Sequence, residues 1–466
     1  MTVTGNALQF RYRTQKWGPL AAVSLAILMT GLDSVMLPVA TISITSDLQA
    51  PVSGIQAAFT LFSLTAASMY LTGGKLGDIH GRKRIYRIGL ILYGLGVLTP
   101  ILAPNLAILI AGWSILRGLG MGLLLPSGFG LILANYAGAR RALAFGFIGA
   151  SAPFGALVGP LLMGWAATQL SWRVPFGLDL AIILSILILT KTIAETEQRL
   201  GAKLDWVSTA LSALGIGLLI LGPTLASQNE AIGPLQVLAI SGLGILALLL
   251  LLVRNRHLTA RGGDPLFHLS LYKNRQFAAG WATLLLLFFQ LGAIILVVPI
   301  FLQTSAGFGI LQSAYAMTPM FFGEILSGAA SGWLIQRLTN RRMMQFALTI
   351  IFIGLVWLQL VVGPAVSVGQ LLLPMFVIGL GFGTGLAQVP NIALSAVRVN
   401  ERGEATGLNT TAQDLGVGFG AGVIGSLLLS PALGEGGITA VMITLLCMAK
   451  ARNSLKQVSR GSFYAF

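Results

Sequence analysis

The stretch Gly74-Lys75-Leu76-Gly77-Asp78-Ile79-His80-Gly81-Arg82-Lys83-Arg84 separates two long apolar runs, near 54–73 and 85–103. An apolar helix of roughly 20 residues crosses the ~30 Å hydrocarbon core of a bilayer. The stretch therefore reads as a short, charged turn between two membrane-spanning helices. Four of its eleven residues are basic. Positive charge collects on the cytoplasmic side of membrane chains, so the turn is expected there.

The same alternation runs along the 466 residues. The chain is 55% hydrophobic and only 9% charged. Ordinary soluble domains carry about 25% charged residues. Such a composition excludes disordered, collagen-like and nearly all soluble enzyme classes. The 58 glycines suit helices that approach each other closely in lipid. Thirteen apolar segments read as spans, near 18–42, 54–73, 85–103, 106–134, 142–166, 174–193, 205–226, 233–253, 277–302, 311–335, 343–362, 369–397 and 405–429. A fourteenth, near 437–449, is short. The expected fold class is all-α and polytopic.

Placing the basic residues settles the meaning of the +15 net charge. Of 29 Lys and Arg, 27 fall in the two termini or the connections expected inside. Arg173 alone lies in an outer connection, and Arg117 lies within a span. This distribution predicts both termini in the cytoplasm and an even number of spans. It also accounts for the charge without nucleic acid as a partner. The lipid bilayer is the partner instead. The first apolar run exceeds a signal peptide's core and lacks a cleavage pattern, so it is read as retained.

Enzyme signatures are missing. There is no G-x-x-x-x-G-K-[ST] phosphate loop and no H-E-x-x-H metal helix. His80, His257 and His268 all fall in cytoplasmic connections. A G-x-G-x-x-G at Gly420, Gly422 and Gly425 lies inside an apolar span, where it reads as helix packing. With one cysteine, Cys447, no intrachain disulfide can form. No enzyme activity, cofactor or metal is expected.

The 74–84 stretch resembles the G-x-L-x-D-x-x-G-R-[KR] signature of the major facilitator superfamily, through Gly74, Asp78, Gly81, Arg82 and Lys83. In that family the element latches two halves together on the cytoplasmic side. A degraded copy follows 258 residues later, from Gly332 through Leu334 and Arg337 to Arg341 and Arg342, with Gln336 and Thr339 replacing Asp and Gly. Internal repeats suit a two-half transporter. Six spans precede the pair at 205–253 and six candidates follow, which resembles the fourteen-span drug:proton antiporter branch. Leu32-Asp33-Ser34 is similar to that branch's first-span element. Gly155, Gly159, Pro160 and Gly164 resemble its exporter signature, with Met163 in place of one glycine. Trp172-Arg173, Leu204-Asp205-Trp206 and the 407–416 stretch match further segments. Arg117-Gly118-Leu119-Gly120-Met121-Gly122 is a shortened form of the fourth-span motif and lacks its Gln.

Ionisable groups inside spans are costly and mark function. Asp33, Arg117, Asp179, Glu324 and Asp414 qualify. At ~1.5 Å per residue, Arg117 and Glu324 fall about 18–20 Å into their spans. Asp179 lies only ~7 Å from the outer end of its own, which predicts an interfacial role. A buried carboxyl can hold either a proton or a cationic ligand. Asp33, Glu324 and Asp414 are the candidate proton or substrate groups, with Arg117 as a candidate counter-ion. Phe288, Phe289, Met317, Met320, Phe321 and Phe322 are candidates to line a lipophilic cavity or simply to pack.

The resemblance implies alternating access between a six-helix bundle at 1–200 and a second bundle at 277–466. Two inserted helices (201–262) and a cytoplasmic linker (263–276) lie between them. It implies a monomeric exporter of lipophilic or cationic small molecules in exchange for protons, in a bacterial plasma membrane. Export of a metabolite or amino-acid-like solute, a non-transporting sensor or degenerate copy, and a channel remain open. The segment 437–449 would be only ~20 Å long as a helix. A C-terminus altered relative to the branch is therefore expected.

Overall fold

A computed structural model of the chain describes residues 17–136, 138–195, 204–228, 234–263, 265–334, 340–362, 366–395, 397 and 402–428. Among the described residues every regular element is helical. Lipid offers no partner to a backbone N–H or C=O, and a helix satisfies both within one segment.

The elements are α1 (Gly18–Val39), α2 (Thr41–Leu48), α3 (Val52–His80), α4 (Arg82–Leu102), α5 (Leu106–Asn135), α6 (Gly138–Gln169), α7 (Val174–Leu189), α8 (Trp206–Gln228) and α9 (Pro234–Ala260). After them come α10 (Ser270–Lys273), α11 (Arg275–Thr304), α12 (Ile310–Leu334), α13 (Asn340–Val361), α14 (Val368–Ser395) and α15 (Arg402–Leu428). Without the short α2 and α10, thirteen long helices remain among the described residues, one at each long apolar segment read from the sequence. Among the described residues, ten helical segments are long and apolar enough to cross a membrane. The segment 437–449 lies outside the described residues.

In α5 the backbone widens into π-type turns over Ile110–Leu116 before returning to α-helix at Arg117. Such wide turns recur at functional positions because they re-aim the side chains that follow. α5 packs between α3 and α4, and α1 lies on α6. α14 sits between α12 and α13, α11 packs on α15, and α8 pairs with α9. The most extensive contacts between the early helices and the late ones are α3 with α15 and α6 with α12, and α1 also meets α11, where Gln303 Nε2 donates to Val39 O at 3.0 Å. One large apolar core runs through both groups. α9 turns Leu235, Leu238, Leu243, Leu246 and Leu249 outward. An apolar outer face of this kind is what hydrocarbon solvates.

Candidate functional site

Asp33, Tyr93, Arg117 and Asp179 come from four helices, α1, α4, α5 and α7, and meet in one buried cluster. Asp33 and Asp179 are each 1% exposed and Arg117 is 0% exposed. Arg117 Nη2 lies 2.5 Å from Asp33 Oδ2 and donates to the Tyr93 hydroxyl at 2.8 Å. The Tyr93 hydroxyl donates in turn to Asp33 Oδ2. Asp179 lies close enough to Asp33 and Arg117 to interact with their charges. The rest of the guanidinium rests on three aromatic faces. Its central carbon lies 4.6 Å from the Phe62 ring centre, 4.8 Å from Tyr93 and 4.5 Å from Trp113. Ring faces attract a cation, and desolvation strengthens the attraction.

The local sequence makes room for this cluster. A Cβ on Gly96 of α4 would lie 2.5 Å from Arg117 Cβ, so only glycine lets α4 approach Arg117 so closely. Asp33 is positioned from the other side by α6. Cβ atoms on Gly155 and Gly159 would fall 2.1 Å from Leu28 O and 2.6 Å from Leu32 O. These glycines bring the α6 backbone against the turn of α1 that carries Asp33, with Pro160 next in the chain. Gly164, further along α6, instead faces Leu311 and Ala314 of α12.

The expectation for Asp179 is corrected. Its distance to the start of its own helix predicts an interfacial position, but the residue is buried in the cluster. That helix start is itself covered: Trp172 and Phe176 are buried, and Arg173 pairs with Asp47 of α2. Depth counted along one helix takes no account of neighbours that extend past its end.

Glu324 and Asp414 do not bond to this cluster among the described residues. Glu324 on α12 is 8% exposed, and no hydrogen-bond or charge partner is found for its carboxyl among the described residues. Asp414 on α15 is half-buried and accepts a hydrogen bond from the Tyr70 hydroxyl of α3. Met317, Met320 and Phe321 are buried in the core, whereas Phe322 is 54% exposed and stacks on Phe376. The first three are therefore packing residues.

The 74–84 turn is held by local charge. Asp78 Oδ1 and Arg82 Nη2 lie 2.6 Å apart. Gly81 has φ +92°, a conformation for which glycine is suited, and a Cβ there would lie 2.7 Å from the Glu195 carboxyl. Glu195 accepts from the backbone N–H groups of Lys83 (2.9 Å) and Arg84 (3.1 Å), at the N-terminus of α4. Those amides have no partner within the helix, and an anion answers their partial positive charge. Lys83 Nζ donates to Ile193 O at 2.5 Å. Lys75 reaches the 263–276 segment, donating to Pro265 O at 2.8 Å. A Cβ on Gly74 would lie 3.6 Å from Pro126 Cβ, an ordinary van der Waals contact. The degraded copy at 332–342 lies partly outside the described residues.

Two other sequence-marked segments also form ion pairs. Trp172 Nε1 and Arg173 both bond Asp47, and Arg173 holds the Asp47 carboxyl below the usual carboxylate range. Asp205 receives a two-pronged bond from Arg254, at 2.7 and 2.8 Å, which closes the α8–α9 hairpin at its base. Together with Ser208, this holds the Asp205 carboxyl down at about 2.

Tyr93, Tyr70 and Glu195 are the partners that sequence reading missed. A signal existed for the tyrosines: a hydroxyl deep in an apolar span needs an acceptor. Glu195 carried none, because its target is the end of a helix more than a hundred residues away.

The chain matches the Major Facilitator Superfamily over residues 23–421. It is 29% identical to a protein of Streptomyces coelicolor named "Probable actinorhodin transporter", over 89% of this chain and 72% of the relative. It is 24% identical to "Multidrug resistance protein 3" of Bacillus subtilis, over 86% of this chain and 78% of the relative. With the "Tetracenomycin C resistance and export protein" of Streptomyces glaucescens it shares 25% identity, over 90% of this chain and 77% of the relative.

Proposed function

The chain belongs to the Major Facilitator Superfamily, and from that premise we propose that it exports drug-like small molecules in exchange for protons. One observation carries the reading: relatives named for multidrug resistance or for export of a resistance compound match 86–90% of the chain. Buried carboxyls within spans support the proton part. Asp33, Glu324 and Asp414 are the groups able to exchange a proton, and Arg117 is the counter-charge of Asp33. The bundles at 1–200 and 277–466 alternate access about contacts such as α3 with α15 and α6 with α12. The chain crosses the bacterial plasma membrane fourteen times as a monomer, with both termini in the cytoplasm.

A second reading rests on the Streptomyces coelicolor relative. Its name gives one compound, actinorhodin, rather than many drugs. A dedicated exporter of a single metabolite would keep the same proton groups and narrow the substrate range.

The test is dye flux in inverted vesicles, with and without a pH gradient, for the wild type and Glu324→Gln. Gradient-driven ethidium accumulation supports export. Its loss in Glu324→Gln, with dye binding retained, places Glu324 in coupling. No accumulation by folded wild-type protein rejects the multidrug reading and sends the search to single metabolites.

A further inference from the structure

We propose that residues 265–273, between the inserted helices and α11, form a strap that ties the early bundle to the late one at the end bearing the 74–84 turn. The strap must let go of Lys75 each time that end opens. The proposal rests on the alternating-access reading above for its role in transport.

Two attachments, three residues apart, carry it. Lys75 Nζ, near the end of α3, donates to Pro265 O at 2.8 Å. The backbone N–H of His268 donates to Glu404 Oε1, and His268 Nδ1 lies 2.9 Å from Glu404 Oε2. Lys75 belongs to the early bundle, and Glu404 to the first turn of α15 in the late one. Three residues of chain reach only about 10 Å when fully extended. The two helix ends therefore stay close while both attachments hold. Asp78 and Arg82 of the same turn bond each other, so the tie through Lys75 is separate from theirs.

The strap is packed rather than slack. Leu266, Phe267 and Leu271 are buried in one apolar cluster with Phe277 of α11 and Ala405 and Leu408 of α15. Tyr272 meets the rings of Phe277 and Trp281 edge-on, each at 5.6 Å, and Trp281 Nε1 donates to Leu408 O at 2.9 Å. From the early side, Leu71 of α3 packs against this cluster. The α8–α9 hairpin keeps the strap over the seam. Asn255 Oδ1 of α9 accepts from the N–H of Leu266 at 3.2 Å, and Ile216 of α8 packs with Leu64 of α3 and Leu415 of α15.

This distribution decides which side releases. Toward α11 and α15 the strap buries aromatic and aliphatic side chains, and pulling them away would return that area to water. Toward α3 it offers a backbone carbonyl to a lysine on a flexible stem. An ammonium exchanges one carbonyl for water at small net cost. The strap therefore travels with the late bundle, and Lys75 is its release point.

Crosslinking tests this in the full-length chain carrying Cys447→Ser, so that the added cysteines stand alone. In inverted vesicles, a short bifunctional methanethiosulfonate joins Lys75→Cys to Pro265→Cys in one variant and His268→Cys to Glu404→Cys in another. Joining 75 to 265 should abolish gradient-driven ethidium accumulation, and reductant should restore it. Joining 268 to 404 should leave it intact. Flux retained after the first join, or lost after the second, overturns the proposal.

A second measurement needs no flux and decides the matter if a double-cysteine variant does not transport before crosslinking. In purified protein with Cys447→Ser and Leu71→Cys, maleimide should label residue 71 faster when Lys75→Met removes the donor. Lys75→Arg, which still donates, should keep the slower rate. Equal rates for Lys75 and Lys75→Met overturn the strap. Faster labelling in a protein that moves no dye rejects the exporter reading alone. Dye flux that survives the 75–265 join rejects the strap alone.

Discussion

Tyr70 on α3 donates its hydroxyl hydrogen to Asp414 on α15, a bond between residues 344 positions apart. It lies in the contact between an early and a late helix, the same contact in which Gln56 Nε2 donates to Gly422 O at 3.1 Å. Polar bonds between apolar helices fix their register, and here they do so between the two groups proposed to move.

Tyr70→Phe leaves Asp414 without that donor. A hydrogen bond to a charged group contributes about 1.5–3 kcal/mol. Thermal unfolding in detergent should show a lower Tm for Tyr70→Phe. Asp414→Asn should cost less, because an amide oxygen still accepts. Combining the two should give less than the sum of the separate losses, since both remove one bond. Full additivity would show that the bond does not form in solution.

Arg117 neutralises a buried aspartate. Removing one partner of a buried pair costs about 3–5 kcal/mol, because the other charge is left uncompensated. Arg117→Ala should therefore unfold at markedly lower temperature than the wild type. Adding Asp33→Asn to it should recover part of the loss. Equal Tm for the single and double variants would contradict the pairing.

Gly155 sets the distance between α1 and α6. A methyl group there would lie 2.1 Å from Leu28 O, a backbone atom that cannot swing away. Overpacking of this kind costs about 1–3 kcal/mol. Gly155→Ala should lower Tm and displace Asp33, reducing flux. Gly146→Ala on the same helix meets nothing within 4 Å and should leave both unchanged. Indistinguishable Tm values for the two variants would argue against the close approach.

Asp205 gives a pH dependence outside the membrane. Its folded-state value of about 2 lies below the ordinary 3.8 because Arg254 bonds the ionised form. A lowered value means the stabilisation is complete above about pH 4 and is lost as pH falls toward 2. Asp205→Asn and Arg254→Gln should flatten the acid side of the Tm profile between those limits. Since Arg254 is 38% exposed, raising the salt concentration should weaken the wild-type effect. An acid limb unchanged in both variants would exclude this pair as its source.

The helices were legible because their cause is local. The span expected at 277–302 is α11, Arg275–Thr304, and that at 106–134 is α5, Leu106–Asn135. Even the glycine motifs were readable as close-packing sites. Which helix each glycine met was not: Gly155 faces α1, while Gly164, nine residues on, faces α12.

The charged residues divide the same way. That Asp33 and Arg117 are buried followed from their place in apolar runs, because lipid penalises charge whatever the fold. That they pair, and that Asp179 joins them, was decided only when α1, α4, α5 and α7 packed together. Hydropathy and the positive-inside distribution are sums along the chain, so sequence determined the helices and the expected sidedness of this protein. Hydrogen bonds and ion pairs act over a few ångströms between residues far apart in sequence, and only tertiary packing brings those atoms within range.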